Sequence, residues 1–336
     1  MTEPPRIRFD PESGIDVEHG LVWLDARQPK AFGVITHAHG DHVGRHRRIL
    51  CTKETAAFVK KRTGHGADYW ERAFGEPTAV GDLTITLWPA GHILGSAMAR
   101  IEGPGGSVLY SGDFKLAGGV TTPPADPPRA DRLVMEATFG LPEFTFKDDQ
   151  ANRAAMVAFA HEAIADETTP VFLAYALGKG QEVLAILSQA GVPVAAHPAI
   201  WNLCPPYRAA GVAFPGAVSL RRRPQHRCAV VVPPRLARTQ LVTDRGPLRI
   251  AAVTGWATRL GHTTIDAVFP LSDHGDYDDL IALVERVAPK RVDVLHGYAN
   301  EFAQDLRGRG YDANAVEGHR GPRPGETPGM FGRWRR

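Results

Sequence analysis

The stretch Thr36-His37-Ala38-His39-Gly40-Asp41-His42 constrains this chain more than any other part of its 336 residues. Four potential metal ligands, His37, His39, Asp41 and His42, fall within six positions directly after the apolar run FGVI. So dense a polar group at a strand end does not pack as a core. On extended backbone, residues two apart point to the same side, which turns His37 and His39 toward one ion. Asp41 and His42, past the flexible Gly40, can turn toward a second. Imidazole with carboxylate suits zinc, and also manganese or iron.

Two ions with three or four protein ligands each need about seven donors. The chain supplies the remainder as His92 in PAGHILGSA, Asp113 in LYSGDF and His296 in VDVLHG. Each ends an apolar β-type run, where side chains of several strands can converge on one edge of a sheet. Asp113 is the natural bridge, since a carboxylate has two oxygens and a neutral imidazole one free lone pair. Two such cations can activate a bound water as hydroxide.

Periodicity predicts an α/β chain with a change of rhythm. From residue 15 to about 136, short β-type runs alternate with two brief helical patterns, one near Asp41 and one over Lys53 to Arg62. Helix and strand then alternate from Asp148 onward, as for a parallel sheet, with one helix expected over Ile200 to Ala210. After Leu248 the β-type runs return. The reading is a discontinuous domain, 1–145 with 250–318, interrupted by an α/β insertion at 146–249 and followed by a flexible basic tail at 319–336.

Composition excludes some classes. The N-terminus MTEPPRIRFD has no apolar h-region, and no stretch approaches the roughly 20 apolar residues that span a bilayer, so a cytoplasmic protein without a membrane partner is expected. Cys51, Cys204 and Cys228 are odd in number and far apart, against a disulfide framework or a metal knuckle. A formal charge of +2 is too mild to signal nucleic acid by itself.

HAHGDH, followed by GH, SGD and a late His, resembles the metallo-β-lactamase superfamily over nearly the whole chain, to about residue 318. The resemblance implies a four-layer αββα sandwich. It implies one metal on His37, His39, His92 and Asp113, and another on Asp41, His42, His296 and the shared Asp113. Asp25, at the end of LVWLD, matches a carboxylate that orients ligand imidazoles. Glu136 in VMEATFG, the segment YALGKGQE and His274 in PLSDHGDY further resemble the β-CASP nucleases, which carry an inserted α/β domain. YALGKGQ, Gly255-Trp256, LSDHGDY and VLHGYANEF are most similar to the bacterial ligase-associated DNA exonucleases.

The resemblance therefore implies a DNA nuclease, exonucleolytic and active in repair, with two divalent ions (zinc, manganese or both). Its substrate would be single-stranded DNA or strand ends, and it would be linked functionally to a DNA ligase and a helicase. An RNA-processing nuclease on the same fold is the alternative, and a small-molecule thioesterase or lactonase a third. His274, oriented by Glu136, is expected to protonate the leaving oxygen. Lys179, a cation opening a helix where the macrodipole disfavours it, and Ser272 are expected to meet substrate phosphate. His46 is expected at the surface.

Overall fold

The computed structural model describes residues 4–10, 14–146, 149–222, 227–259 and 264–316. They form two compact units, one drawn from Met1–Thr145 and His274–Gly321, the other from Phe146–Asp273. The tail expected at 319–336 lies outside the described residues.

The first unit opens with a six-stranded sheet in sequential order, β1 (Ile7–Asp10), β2 (Gly14–Val17), β3 (Val22–Leu24), β4 (Phe32–Val34), β5 (Arg48–Cys51) and β6 (Asp68–Glu71). It is antiparallel to β3 and parallel beyond. The helix expected near Asp41 is a turn, with the His42 N–H donating to the His39 carbonyl at 3.2 Å. Gly40 and Gly44 weaken helix there, and the segment has no apolar stripe to bury. The helix α1 (Lys53–Thr63) does form, capped by the Thr52 hydroxyl and ended by left-handed Gly64. Strands β7 (Pro77–Val80), β8 (Leu83–Pro89), β9 (Ala97–Gly103) and β10 (Gly106–Tyr110) then run antiparallel, and β11 (Arg132–Glu136) lies parallel to β10.

The second unit contains α2 (Asp149–Ala165), β12 (Thr169–Leu173), α3 (Lys179–Gln189), β13 (Val194–Ala196), α4 (Pro198–Trp201), α5 (Cys204–Ala209), β14 (Val218–Ser219), β15 (Ala229–Val232), α6 (Gln240–Thr243), β16 (Leu248–Val253) and β17 (Ala267–Phe269). Its sheet is all parallel, in the order β14-β13-β15-β12-β16-β17. The one helix expected over 200–210 is two, because Pro205 and Pro206 fit only a first turn and force a restart at Cys204. Residues 250–273 also depart from the expected division. β16 pairs with β12 along five positions and β17 extends the same sheet, so this segment completes the second unit. Ala251, Ala252 and Val253 are buried, as a strand covered on both faces requires.

The chain returns to the first unit with α7 (Tyr277–Val287), β18 (Arg291–Leu295), α8 (Ala299–Gly308) and β19 (Ala313–Ala315). The second sheet of this unit reads β19-β18-β11-β10-β9-β8-β7. One buried cluster joins the two sheets, Leu24, Val34 and Leu50 from the first meeting Ile85, Ile101 and Val134 from the second. A second cluster packs Leu283, Val284, Phe302 and Leu306 of α7 and α8 against Leu109, Met135 and Val294 on the other face.

Strand direction decides what gathers where. β8, β10, β11 and β18 all run the same way, so their carboxyl ends share one edge of the sheet. That edge carries His92, Asp113, Glu136 and His296, each at or just past a strand end.

Candidate metal centre

The residues after β4 are fixed before they reach any ligand. Asp25, buried, accepts the Thr36 backbone N–H on Oδ1 at 2.8 Å. Its Oδ2 accepts the hydroxyls of Thr36 at 2.5 Å and Tyr110 at 3.0 Å and lies 2.8 Å from His42 Nδ1. With Nδ1 spent on Asp25, His42 presents Nε2. Gly112 lets the SGD turn approach. Its φ is +52°, and a Cβ there would lie 2.7 Å from Thr36 Oγ1. The loop bearing His92 is shaped by the Ser96 hydroxyl, which accepts the N–H groups of His92 and Ile93 at 3.1 and 3.2 Å. The hydroxyls of Thr52 and Thr55 both donate to the Gly95 carbonyl, tying that loop to α1.

These supports converge on Asp113 Oδ2. Nε2 of His42 lies 3.4 Å from it, that of His37 3.6 Å, and those of His92 and His274 3.9 Å each. Donor atoms of His37, His39, His92 and Asp113 all lie within 4.8 Å of one another. His39 Nδ1 faces His92 Nε2 at 3.1 Å, and buried His37 Nε2 has no hydrogen-bond partner. An unpartnered, buried nitrogen among converging lone pairs fits a cation better than a hydrogen-bond network.

The other expected donors are less tightly gathered. Asp41 Oδ2 lies 3.8 Å from His42 Nε2, on a side chain 74% exposed. His296 flanks the group, its ring centroid 6.3 Å from that of His42, on left-handed backbone (φ 55°) that non-glycine residues seldom adopt. His274 Nδ1 lies 2.8 Å from Glu136 Oε1, which also accepts the Phe114 N–H at 3.1 Å, while Oε2 accepts that of Thr138 at 3.2 Å.

No model of a known protein family matches the chain. A protein of Opitutus terrae named Probable DNA ligase is 40% identical over 313 residues, 90% of this chain and 31% of that protein. An RNase J-like protein of Methanocaldococcus jannaschii is 26% identical over 179 residues, 46% of this chain and 42% of its own length. The cleavage and polyadenylation specificity factor subunit 3 of Dictyostelium discoideum is 31% identical over 112 residues, 32% of this chain and 14% of that protein. The chain belongs to the β-CASP nuclease group of the metallo-β-lactamase superfamily. It spans less than half of the length of each of these relatives. A solved protein of unknown function from Enterococcus faecalis V583 shares the fold, with a TM-score of 0.56 at 14% identity over 86% of this chain and 79% of that one.

Charge in this β-CASP centre is arranged by burial and pairing. Burial holds His37 well below the usual imidazole range, and the neighbouring His42 adds to it. Burial alone would lower His42, but Asp113 and Asp25 outweigh it and hold it well above that range. Burial would likewise raise Asp113, and the surrounding imidazoles, His42 first, reverse this and hold it well below the carboxylate range. Burial lowers His296.

In the second unit the expected phosphate contacts look different. Lys179 is 1% exposed, and its Nζ lies 3.3 Å from Asp273 Oδ1. The anion required by a cation at a helix start is therefore a carboxylate of the same unit, which removes the argument for phosphate there. Ser272 is buried, 2% exposed. The rest of GKGQE is structural: Gln181 Oε1 accepts the Gly178 N–H, and its Nε2 donates to the carbonyls of Ala176 and Ile200.

Sequence reasoning missed Thr36 and Tyr110, which are next to recognised ligand motifs but read as strand. It misplaced His46, which is fully buried, its Nδ1 accepting the Lys30 N–H at 3.1 Å. Gly33 and Gly44 were the available signal, since a Cβ on either would come within 2.6 Å of that ring.

Proposed function

We propose that this chain is a metal-dependent nuclease that hydrolyses DNA phosphodiesters, exonucleolytically and in repair. The observation that carries the reading is Asp113 Oδ2, within 3.9 Å of four imidazole nitrogens beside the His274–Glu136 pair. His37, His39, His92 and Asp113 would hold one divalent cation, and Asp41, His42, His296 and the shared Asp113 a second, zinc or manganese. When bound, two such cations neutralise a phosphate and lower the pKa of an attacking water. Asp25 keeps His42 in the tautomer that offers Nε2, and Asp113 stays ionised. His274, its Nδ1 on Glu136, presents Nε2 to give a proton to the departing oxygen. A thioesterase or lactonase has no need of that pair. We read the αββα sandwich as completed by α1 outside the first sheet.

Support for DNA comes from the 90% coverage by a protein named as a ligase, which also motivates a functional link to ligation and, by resemblance, to a helicase. RNA processing is the second reading, favoured by relatives named for RNA. Among the described residues no helix is long and apolar enough to cross a membrane; a cytoplasmic site of action is part of the proposal. Side-by-side digestion of end-labelled single strands of one sequence tests it. DNA cut faster than RNA, released as mononucleotides, is expected. Equal or faster RNA cutting favours the second reading, and internal fragments appearing first remove the exonuclease assignment.

A further inference from the structure

The helix α1 touches two loops that carry ligands of the same expected ion. At its start, the hydroxyls of Thr52 and Thr55 donate to the Gly95 carbonyl at 2.7 and 3.0 Å. Thr52 also caps the helix, its hydroxyl oxygen accepting the Thr55 N–H at 3.2 Å. The loop comes close to allow this: Gly95 has a φ of +79°, and a Cβ there would lie 2.5 Å from Glu54 Cβ. Through Gly95 and Ser96, the start of α1 holds the loop of His92.

At the other end, Arg62 Nη1 donates to the Ala38 carbonyl, 24 residues earlier in the chain. Ala38 is buried, and its carbonyl belongs to the peptide that joins it to His39. Because that peptide is planar, a donor that fixes its oxygen also fixes the backbone from which the His39 side chain leaves. A last-turn arginine ordinarily serves the carbonyls of its own helix. Lys60 and Lys61 stand in the same turn, and Arg62 instead reaches the segment between two expected ligands. Partial burial lowers Arg62 below the usual arginine range, and the nearby Asp41 carboxylate opposes this.

The two ends meet at one place. His39 Nδ1 lies 3.1 Å from His92 Nε2, and both belong with His37 and Asp113 to the donors gathered within 4.8 Å. A helix of 11 residues is about 16 Å long and does not shorten, so it sets the spacing of the loops fastened to it. We infer that α1 braces the ligand loops of one ion, with Arg62 the positioning residue that holds His37 and His39 against the His92 loop. The inference rests on the metal reading above.

The test is the zinc affinity of the full chain, measured by competition with a chromophoric chelator. The visible spectrum of the cobalt-loaded protein and the urea midpoint of the metal-free protein accompany it. Groups one step removed from a metal ligand contribute about 10–100-fold to metal affinity, and Arg62→Ala should lose that factor. It should also shift the cobalt bands, with the metal-free midpoint no lower than in Lys61→Ala. Lys61→Ala, an equal loss of charge in the same turn, should keep wild-type affinity. Arg62→Lys retains a cationic donor and should recover most of the loss. At the helix start, Thr55→Val should weaken zinc binding several-fold and Thr55→Ser should not. Zinc binding in Arg62→Ala no weaker than in Lys61→Ala overturns the inference. So does a loss that lysine fails to restore and that follows a lowered metal-free midpoint. Unchanged affinity in Thr55→Val confines the role to one end and overturns the brace. A wild type that binds no zinc removes the metal reading itself, whereas equally tight zinc in the wild type and Arg62→Ala removes only the brace.

Discussion

His274→Ala should separate proton donation from metal binding. The ring is 22% exposed, its Nδ1 lies 2.8 Å from Glu136 Oε1, and its Nε2 lies 3.9 Å from Asp113 Oδ2. With Nδ1 held by the carboxylate, Nε2 is the atom that can carry a proton to a leaving oxygen or, unprotonated, bind a metal. General acids contribute about 10²–10⁴-fold, roughly 3–5 kcal/mol of barrier at 1.36 kcal/mol per decade. The variant should therefore keep its metals and lose that factor in single-turnover cleavage of a strand with one labelled bond. If the leaving bridging oxygen at that bond is replaced by sulfur, departure no longer needs a proton. His274→Ala should then recover most of the wild-type rate, and His92→Ala should not. The reasoning is refuted if sulfur helps neither variant, or if elemental analysis finds His274→Ala short of a metal ion.

Asp113→Ala removes the carboxylate that four imidazoles surround. Elemental analysis should show lost metal and a chelator-treated wild type should match its inactivity; full activity in excess chelator ends the metal reading. Asp25→Asn puts an NH2 where one carboxylate oxygen accepts two hydroxyls and faces His42, or where the other accepts the Thr36 N–H. Urea unfolding should register about 1–3 kcal/mol for the unsatisfied group, and an unchanged midpoint argues against the network. Burial lowers His46 to about 4 from 6.5. A depressed folded pKa means stability is fully present above about 6.5 and falls as pH drops through about 4, by roughly 3 kcal/mol at most. His46→Gln should flatten that part of the wild-type urea-midpoint curve between pH 7 and 4, and an identical slope in both proteins refutes it.

The sequence by itself determined which side chains could donate to a metal and that they stand at strand ends. A run such as His37-Ala38-His39-Gly40-Asp41-His42 sets four potential donors where an apolar strand stops, and local periodicity marks where strands such as β10, β11 and β18 stop. It also carried the alternating pattern that makes the second unit's sheet parallel. Tertiary structure decided what depends on partners distant in the chain. Whether Lys179 faces phosphate or carboxylate turned on Asp273, 94 residues later by their numbering. Which sheet received residues 250–273 turned on pairing with β12, because strands of similar composition carry no local mark of their neighbour. The burial of His46 turned on two glycines, one on β4 and one in the following turn, that leave room for its ring. Asp113 and His92 share a sheet edge because β8 and β10 run in one direction, a property of the assembled sheet, and His37, His42 and His274 reach Asp113 from segments distant in the chain.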